Sequence, residues 1–410
     1  YVRGAIGEHA AFIFIPAICY FLLKLNTKEK FNFINFFGIS ISTAGLILSH
    51  NAISLMFLPF VVFYIFFLFF VNKNKILFGT SIAGIFYGFL LSAFFWIPAF
   101  MEGKYTLRDI VTKNEALTRF VDFHDLIYGS WNFGGTGSFS TELGIIPWIF
   151  VLFLPIGVYL LYKRKPEKNN LILLGFSALF LFVSIFLMLE ISKPVWIMIT
   201  TLQKFQFPWR FLSVSVFSIS LISALVVYSL KNQKMQRIFF LIVLISSVLL
   251  TYNYWKAKDF LYKPESFYSG IYNSTTDTGE SAPIWSVRFM EKKPTSEIEI
   301  IEGEGRITKI SRTSKGRSYG IISKGKSKIR ENTLYFPGWK VLVDGKEQAL
   351  EFQDPNSRGL MTFFLNNGRH KVDIEFGNTK LRTAADSISL ISFFGLVLLI
   401  IGSKRKWLKI

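Results

Sequence analysis

Apolar residues come in long, nearly unbroken runs over the first 255 positions and in short alternating stretches over the next 130 or so. A bilayer's hydrocarbon core of about 30 Å takes about 20 helical residues to cross. Runs of roughly that size occur at 10–25, 31–48, 52–71, 76–99, 143–162, 171–189, 211–230, 238–254 and 387–402. The pattern therefore predicts a polytopic α-helical membrane bundle of about nine spans. The first two runs are the weakest, being short with polar ends. The apolar segment Val195-Trp196-Ile197-Met198-Ile199, bounded by Lys193, Pro194, Lys204 and Pro208, is too short to cross and reads as an interfacial or re-entrant helix.

The period changes over 256–385. Glu297-Ile298-Glu299-Ile300 alternates, Glu302-Gly303-Glu304-Gly305 turns the chain, and Ile307 to Ile310 returns. Trp339-Lys340-Val341-Leu342-Val343 runs into Asp344-Gly345, a type I′ hairpin signal. Leu360 to Leu365 leads to Asn367-Gly368, and Val372 to Phe376 follows. Short strands with tight turns predict a β-sandwich of jelly-roll or immunoglobulin type. The expected organisation is a helical bundle over 1–255 with outer loops 100–142 and 190–210, an extracytoplasmic β-sandwich domain over 256–385, and a final span with a basic tail over 386–410.

Charge fixes the expected sidedness. One set of connectors is short and basic: Lys24, Lys28 and Lys30; Lys73 and Lys75; Lys163, Arg164, Lys165 and Lys168; Lys231, Lys234 and Arg237; and Lys404, Arg405, Lys406 and Lys409. The other set is either very short, at His50–Asn51, or long and mixed in charge. The positive-inside rule puts the basic set and the C-terminus in the cytoplasm, and Tyr1 and the β domain outside. The formal net charge of +19 thus marks topology and contact with anionic lipid, and nucleic acid is not an expected partner. Composition agrees with the lipid bilayer as the main partner: 51% of residues are hydrophobic, only 18% are charged, and 46 are Phe. The single cysteine, Cys19, excludes a disulfide framework and reads as a packed residue. The chain starts on Tyr1 with a polar, motif-like segment, so it reads as a piece that lacks its N-terminal part.

Explicit chemistry is sparse. The histidines, His9, His50, His124 and His370, are far apart, with no ligand spacing, so no metal site and no cofactor are indicated; a divalent cation is allowed but not called for. Gly134-Gly135-Thr136-Gly137 follows no strand and opens no helix, so it reads as a loop turn, and Asn273-Ser274-Thr275 as a chance glycosylation tripeptide. What remains is positional. Arg3, Glu8 and His9 lie at the outer end of the first run, His50 and Asn51 at the hinge of the second and third, Glu102 beyond the fourth, and Arg210 at the start of the seventh. Singly, such residues serve as interface anchors, caps or snorkelling side chains. Gathered at one membrane face they would suit a lipid-linked phosphate, with Arg holding the phosphate and Glu or His acting as base.

Several of these stretches carry a family resemblance. Tyr1-Val2-Arg3-Gly4-Ala5 with Glu8, Leu48-Ser49-His50-Asn51, Phe95-Trp96-Ile97-Pro98-Ala99 with Glu102, Gly129-Ser130-Trp131-Asn132-Phe133-Gly134 and Gln206-Phe207-Pro208-Trp209-Arg210 resemble the bacterial integral membrane family labelled "6-pyruvoyl-tetrahydropterin synthase-related". Glu280, Pro283, Trp285 and Tyr335-Phe336-Pro337-Gly338-Trp339-Lys340-Val341 with Asp344-Gly345 resemble the YfhO-type membrane proteins. The pterin chemistry in the first label does not carry over, since it needs a His-rich zinc site. Both families are similar to polytopic glycosyltransferases of GT-C architecture. The resemblance implies a polyprenyl-phosphate sugar as donor, a cell-envelope acceptor, reaction at the outer face, and an acidic catalytic residue in a first outer loop upstream of Tyr1. Glu8 and Glu102 would then be supporting or acceptor-site residues. Two other classes stay open: a lipid flippase or transporter, against which stands the lack of an internal repeat and of mid-span charge, and a non-enzymatic membrane-anchored assembly or surface-binding protein.

Overall fold

The computed structural model describes residues 5–25, 31–129, 140–163, 168–255, 262–265, 279–289 and 294–404. Its long helices are α1 (Ile6–Leu25), α2 (Phe33–Ser49), α3 (Asn51–Asn72), α4 (Lys75–Leu91), α5 (Ala93–Met101), α6 (Ile145–Lys163), α7 (Lys168–Met188), α8 (Leu212–Tyr228), α9 (Gln233–Thr251) and α10 (Lys380–Lys404). Every apolar run predicted from the sequence is helical. Among the described residues seven helices are long and apolar enough to cross a membrane, or eight if the bent pair α4 and α5 is one span. The remaining apolar helix, α2, has 17 residues, about 25 Å at 1.5 Å per residue, at the short end of the range for a span. The run 76–99 is two helices that break at Ser92, whose backbone leaves the helical conformation at φ −99° and ψ 9°. Pro98 then removes a donor from the second helix. These helices make the chain an integral, multi-pass membrane protein.

The molecule forms two compact units. The first lies within 1–92, 114–262 and 392–410, the second within 93–113 and 263–391.

In the first unit small residues set helix spacing, as expected where lipid gives no hydrophobic push between helices. A side chain at Gly45 would strike the Phe14 ring, and one at Gly38 the Phe21 ring, so α1 and α2 pack antiparallel. Gly84 meets Ile39 and Gly88 meets Thr43, so α2 and α4 run parallel. The abundant Phe residues fill the centre. The Phe60 ring lies edge-on to Phe180 at 4.9 Å and to Phe217 at 5.1 Å, joining α3, α7 and α8. The buried hydroxyls of Ser184 and Ser215 share a 2.8 Å hydrogen bond between α7 and α8. Gly157 of α6 seats Val226 near the end of α8. These registers put the N-terminal ends of α1, α3 and α8 and the C-terminal ends of α2, α4 and α7 at one end of the unit. Lys24, Lys73, Lys75, Lys163, Lys231 and Lys234 all fall at the other.

The segment 190–210 resolves into short helical turns at Glu190–Ser192, Lys193–Met198, Thr200–Gln203 and Pro208–Phe211. Its outward face carries Ile191, Ile197 and Met198, while Trp196 is fully buried and donates its indole N–H to the Leu187 carbonyl at 3.0 Å.

The second unit holds eight strands in two antiparallel sheets: β1 (Ile298–Glu302), β2 (Gly305–Arg312), β3 (Gly316–Ser323), β4 (Ser327–Leu334), β5 (Trp339–Val343), β6 (Lys346–Gln348), β7 (Leu360–Leu365) and β8 (Gly368–Phe376). One sheet has the order β1-β4-β7 and the other β2-β3-β8-β5-β6. Ile329, Met361 and Phe363 from the first share a core with Tyr319, Ile321, Val341, Val372 and Ile374 from the second. The order β3-β8-β5-β6 facing β4-β7 follows jelly-roll connectivity. Asp344 and Gly345 both have positive φ, 52° and 81°, and join β5 to β6 as the expected type I′ turn. The expected return at Glu302–Gly305 is corrected: the chain crosses there to the other sheet instead of forming a hairpin. Gly303, at φ 85°, lies so close to Lys326 and Ser327 that no side chain fits.

Candidate functional site

Three of the sequence candidates meet at the end of the first unit away from Lys24, Lys73, Lys75, Lys163, Lys231 and Lys234. Glu8 lies in the first turn of α1, which starts earlier than the apolar run because Ala5 O accepts from His9 N at 3.1 Å. His50 is the single residue between α2 and α3. Its N–H closes α2 on Leu46 O, and its Nδ1 accepts from Ile53 N at 3.2 Å, capping α3. A ring nitrogen that accepts carries no hydrogen, so the ring proton sits on Nε2. That nitrogen faces Glu8 Oε1 at 3.6 Å. Arg210 Nε faces the same oxygen at 3.9 Å. The side chains are about one-fifth exposed: 20% for Glu8, 22% for His50 and 17% for Arg210.

The turn that delivers Arg210 is rigid. Its guanidinium Nη1 donates to Phe205 O at 2.8 Å and its Cζ lies 5.0 Å from the Phe207 ring centre, which stacks in turn on Trp209. Gln206 takes a left-handed φ of 66°, and its carboxamide donates to Glu115 Oε2 at 3.0 Å. Glu115, unmarked by the sequence reading, thus fixes this turn. Its spacing of four from Arg119, with which it pairs at 3.8 Å, was the available signal, and an ordinary one.

The other candidates stand apart from this trio. His9 and Asn51 are exposed, and Asn51 uses its side-chain oxygen on Ala52 N at 2.8 Å. Arg3 lies outside the described residues, as do 130–134 of the Gly129 motif and the Asn273 tripeptide.

Glu102 belongs to the second unit, where it is a clamp. Arg382, in the first turn of α10, donates to Glu102 Oε2 through Nε at 2.9 Å and Nη2 at 2.8 Å. Thr379 donates to Oε1 at 3.1 Å, and Arg382 also reaches Pro337 O at 3.0 Å. The guanidinium lies 5.0 Å from the Phe376 ring centre. Glu102 is 7% exposed. Arg382 was missed although the signal was there: a basic residue just before the last span, on the side predicted to be poor in basic residues.

Around this clamp the motif residues of the C-terminal half converge. Leu107 N donates to Ala282 O and Ile284 N to Tyr105 O, both near 2.9 Å, tying 103–107 to 280–284. Trp285 stacks on Tyr105 at 5.7 Å and touches Tyr335 and Phe352. Trp339 is a packing residue, its ring 5.1 Å from Phe376.

Deep in the sandwich the wholly buried Glu331 pairs with Arg317 of the facing sheet and accepts from Thr333 at 3.1 Å. At the hairpin tip, the His370 imidazole bonds Asp344 Oδ2 at 2.7 Å and, with the Lys371 N–H, holds the Asp344 carboxyl below its usual range. His124 sits beside Asp125 on the first unit. Among the described residues no three His, Cys, Asp or Glu side chains gather as a metal cage.

Comparison with family models finds no match, and no curated protein or solved structure matches significantly.

Proposed function

We propose that the chain is a GT-C-like membrane transferase that moves a sugar from a polyprenyl-phosphate donor to a cell-envelope acceptor at the outer face. The observation that carries this reading is the meeting of Glu8, His50 and Arg210, from stretches some 40 and 160 residues apart, at the end of the helices opposite the short basic connectors. By the positive-inside rule that end, the β domain and the loops that feed it are extracytoplasmic, and the C-terminus is cytoplasmic. Charged side chains at such a depth are costly unless they serve a ligand or one another.

The geometry suits a phosphate. The contacts of 3.6 and 3.9 Å to Glu8 are longer than hydrogen bonds. An incoming phosphate oxygen would compete with Glu8 for the Arg210 guanidinium. Arg supplies forked donors to such an oxyanion. His50, whose Nδ1 caps α3, turns Nε2 toward Glu8 and is read as a second donor to the ligand. Glu8 is the carboxylate of the three.

The test uses the full chain in lipid nanodiscs with polyprenyl phosphate. Arg210→Ala is expected to weaken binding at least about tenfold, near 1.4 kcal/mol. Polyprenyl-phosphate sugars incubated with the chain and an envelope acceptor fraction are expected to lose their sugar. Binding indifferent to Arg210 would remove the trio from the site, and no consumption of any donor would end the transferase reading.

A further inference from the structure

The second unit contains a cleft of about 330 Å³ beside the Glu102–Arg382 clamp. Its floor is Glu102, held by the Arg382 and Thr379 donors. One wall is Gly103, Thr106 and Arg108, and the other is Glu280 and Ser281. The walls are fixed to each other by the main-chain bonds from Leu107 to Ala282 and from Ile284 to Tyr105. The rim is apolar, made by Pro98, Ala99 and the Phe336 ring, whose edge-to-face partner is Tyr105.

Gly103 is part of the construction. A side chain there would come within 3.2 Å of Arg108 Nη2, so the guanidinium lies against the backbone at the cleft wall. Arg108 Nε donates to Asp109 Oδ1 at 3.2 Å.

The lining selects among ligand chemistries. A phosphate would face two carboxylates, Glu102 and Glu280. A simple cation would face Arg108. A hydrocarbon would desolvate Arg108 and Glu280 with nothing in return. A polyol ring suits the mixture: Glu280 accepts from its hydroxyls, the Arg108 guanidinium and the Ser281 hydroxyl donate to its oxygens, and its C–H face lies on Phe336 and Pro98. The volume is at the lower end of that of small-molecule sites, enough for one or two rings.

We infer that this cleft is a saccharide site, taking a neutral sugar of one or two rings between Arg108, Glu280 and the Phe336 ring. The inference concerns binding by the second unit and does not rest on the phosphate trio of the first.

The experiment is saturation-transfer NMR on the full chain in nanodiscs, with the methyl glycosides of glucose, galactose and N-acetylglucosamine as probes. At least one glycoside is expected to show transfer. Arg108→Ala is expected to reduce it about tenfold, and Ser281→Trp, at an exposed position on the cleft wall, to abolish it while leaving the thermal midpoint unchanged. Arg210→Ala is expected to retain it, so a failed transferase reading and a failed saccharide site are told apart. Silence from all three glycosides, or transfer that survives Ser281→Trp, overturns the site. Arg108-dependent transfer from free glycine or alanine in place of the glycosides also overturns it, in favour of a zwitterion site.

Discussion

The two units handle buried charge in opposite ways. In the second, Glu102 takes two guanidinium bonds at 2.8 and 2.9 Å and a hydroxyl at 3.1 Å, and is almost wholly shielded. In the first, Glu8 stands 3.6 and 3.9 Å from its basic neighbours and keeps a fifth of its surface open. Short, saturated bonds leave a carboxylate nothing further to do, so the second arrangement is mechanical: it fixes the base of the β domain to the start of α10. The side chains gathered at the end of the membrane helices keep about a fifth of their surface open, which is a condition for meeting a ligand.

That contrast breaks most sharply at Arg382. Arg382→Ala leaves Glu102 buried without its partner and is expected to cost about 3–5 kcal/mol. The thermal midpoint in detergent should drop accordingly, and the double variant Glu102→Leu, Arg382→Leu should recover part of the loss. If the single variant is as stable as the parent, the clamp is not mechanical. The matching change in the first unit, Arg210→Ala, removes the bond to the Phe205 carbonyl and the contact with the Phe207 ring and is expected to cost less, about 1–2 kcal/mol. Its functional effect belongs in the ligand titration. A large thermal loss there would erase the distinction between the units.

Smaller effects sharpen the picture of the second unit. Gly345→Ala, at φ 81° in the hairpin turn, is expected to cost about 1 kcal/mol, read from the same melting curves. The smallest effect is acid sensitivity. The Asp344, Asp354 and Asp373 carboxyls are all held below the ordinary aspartate value of 3.8, chiefly by bonds from His370, Lys328 and Ser318 respectively. Lowered folded values mean that their stabilisation is complete above about pH 3.8 and is lost as pH falls through those lower values. The Glu297 and Glu299 carboxyls of the same unit are likewise held below their ordinary 4.5, so fluorescence of Trp285 and Trp339 should report loosening of this unit only below about pH 4.5. Loosening on the alkaline side of pH 5 would contradict the assignment.

Much of the fold was legible because bilayer length and strand alternation are strong periodic signals. All nine apolar runs are helices, and Asp344-Gly345 turns as its sequence says. The errors came where local pattern meets a non-local fact. Residues 76–99 read as one continuous helix, and nothing in their apolarity reveals the break at Ser92. Glu302–Gly305 read as a hairpin, because a glycine-rich turn looks the same whether the next strand pairs with the last or crosses to a facing sheet. The Glu8–His50–Arg210 trio was foreseeable as three residues at one set of helix ends. The partners of Glu102 were not, since Thr379 and Arg382 are 277 and 280 positions away, and pairing over such distances leaves no mark in periodicity.

His50 ends one helix, begins the next and faces Glu8, all within a single residue. Its backbone and Nδ1 serve the corner while only Nε2 serves the trio, so deleting the side chain would loosen the corner and remove the donor at once. Asparagine separates the two tasks. Its carboxamide oxygen can cap α3 as Nδ1 does, but its shorter side chain does not extend to Glu8. A His50→Asn chain that melts normally yet loses affinity for polyprenyl phosphate would locate the imidazole's contribution at the ligand and not at the bend.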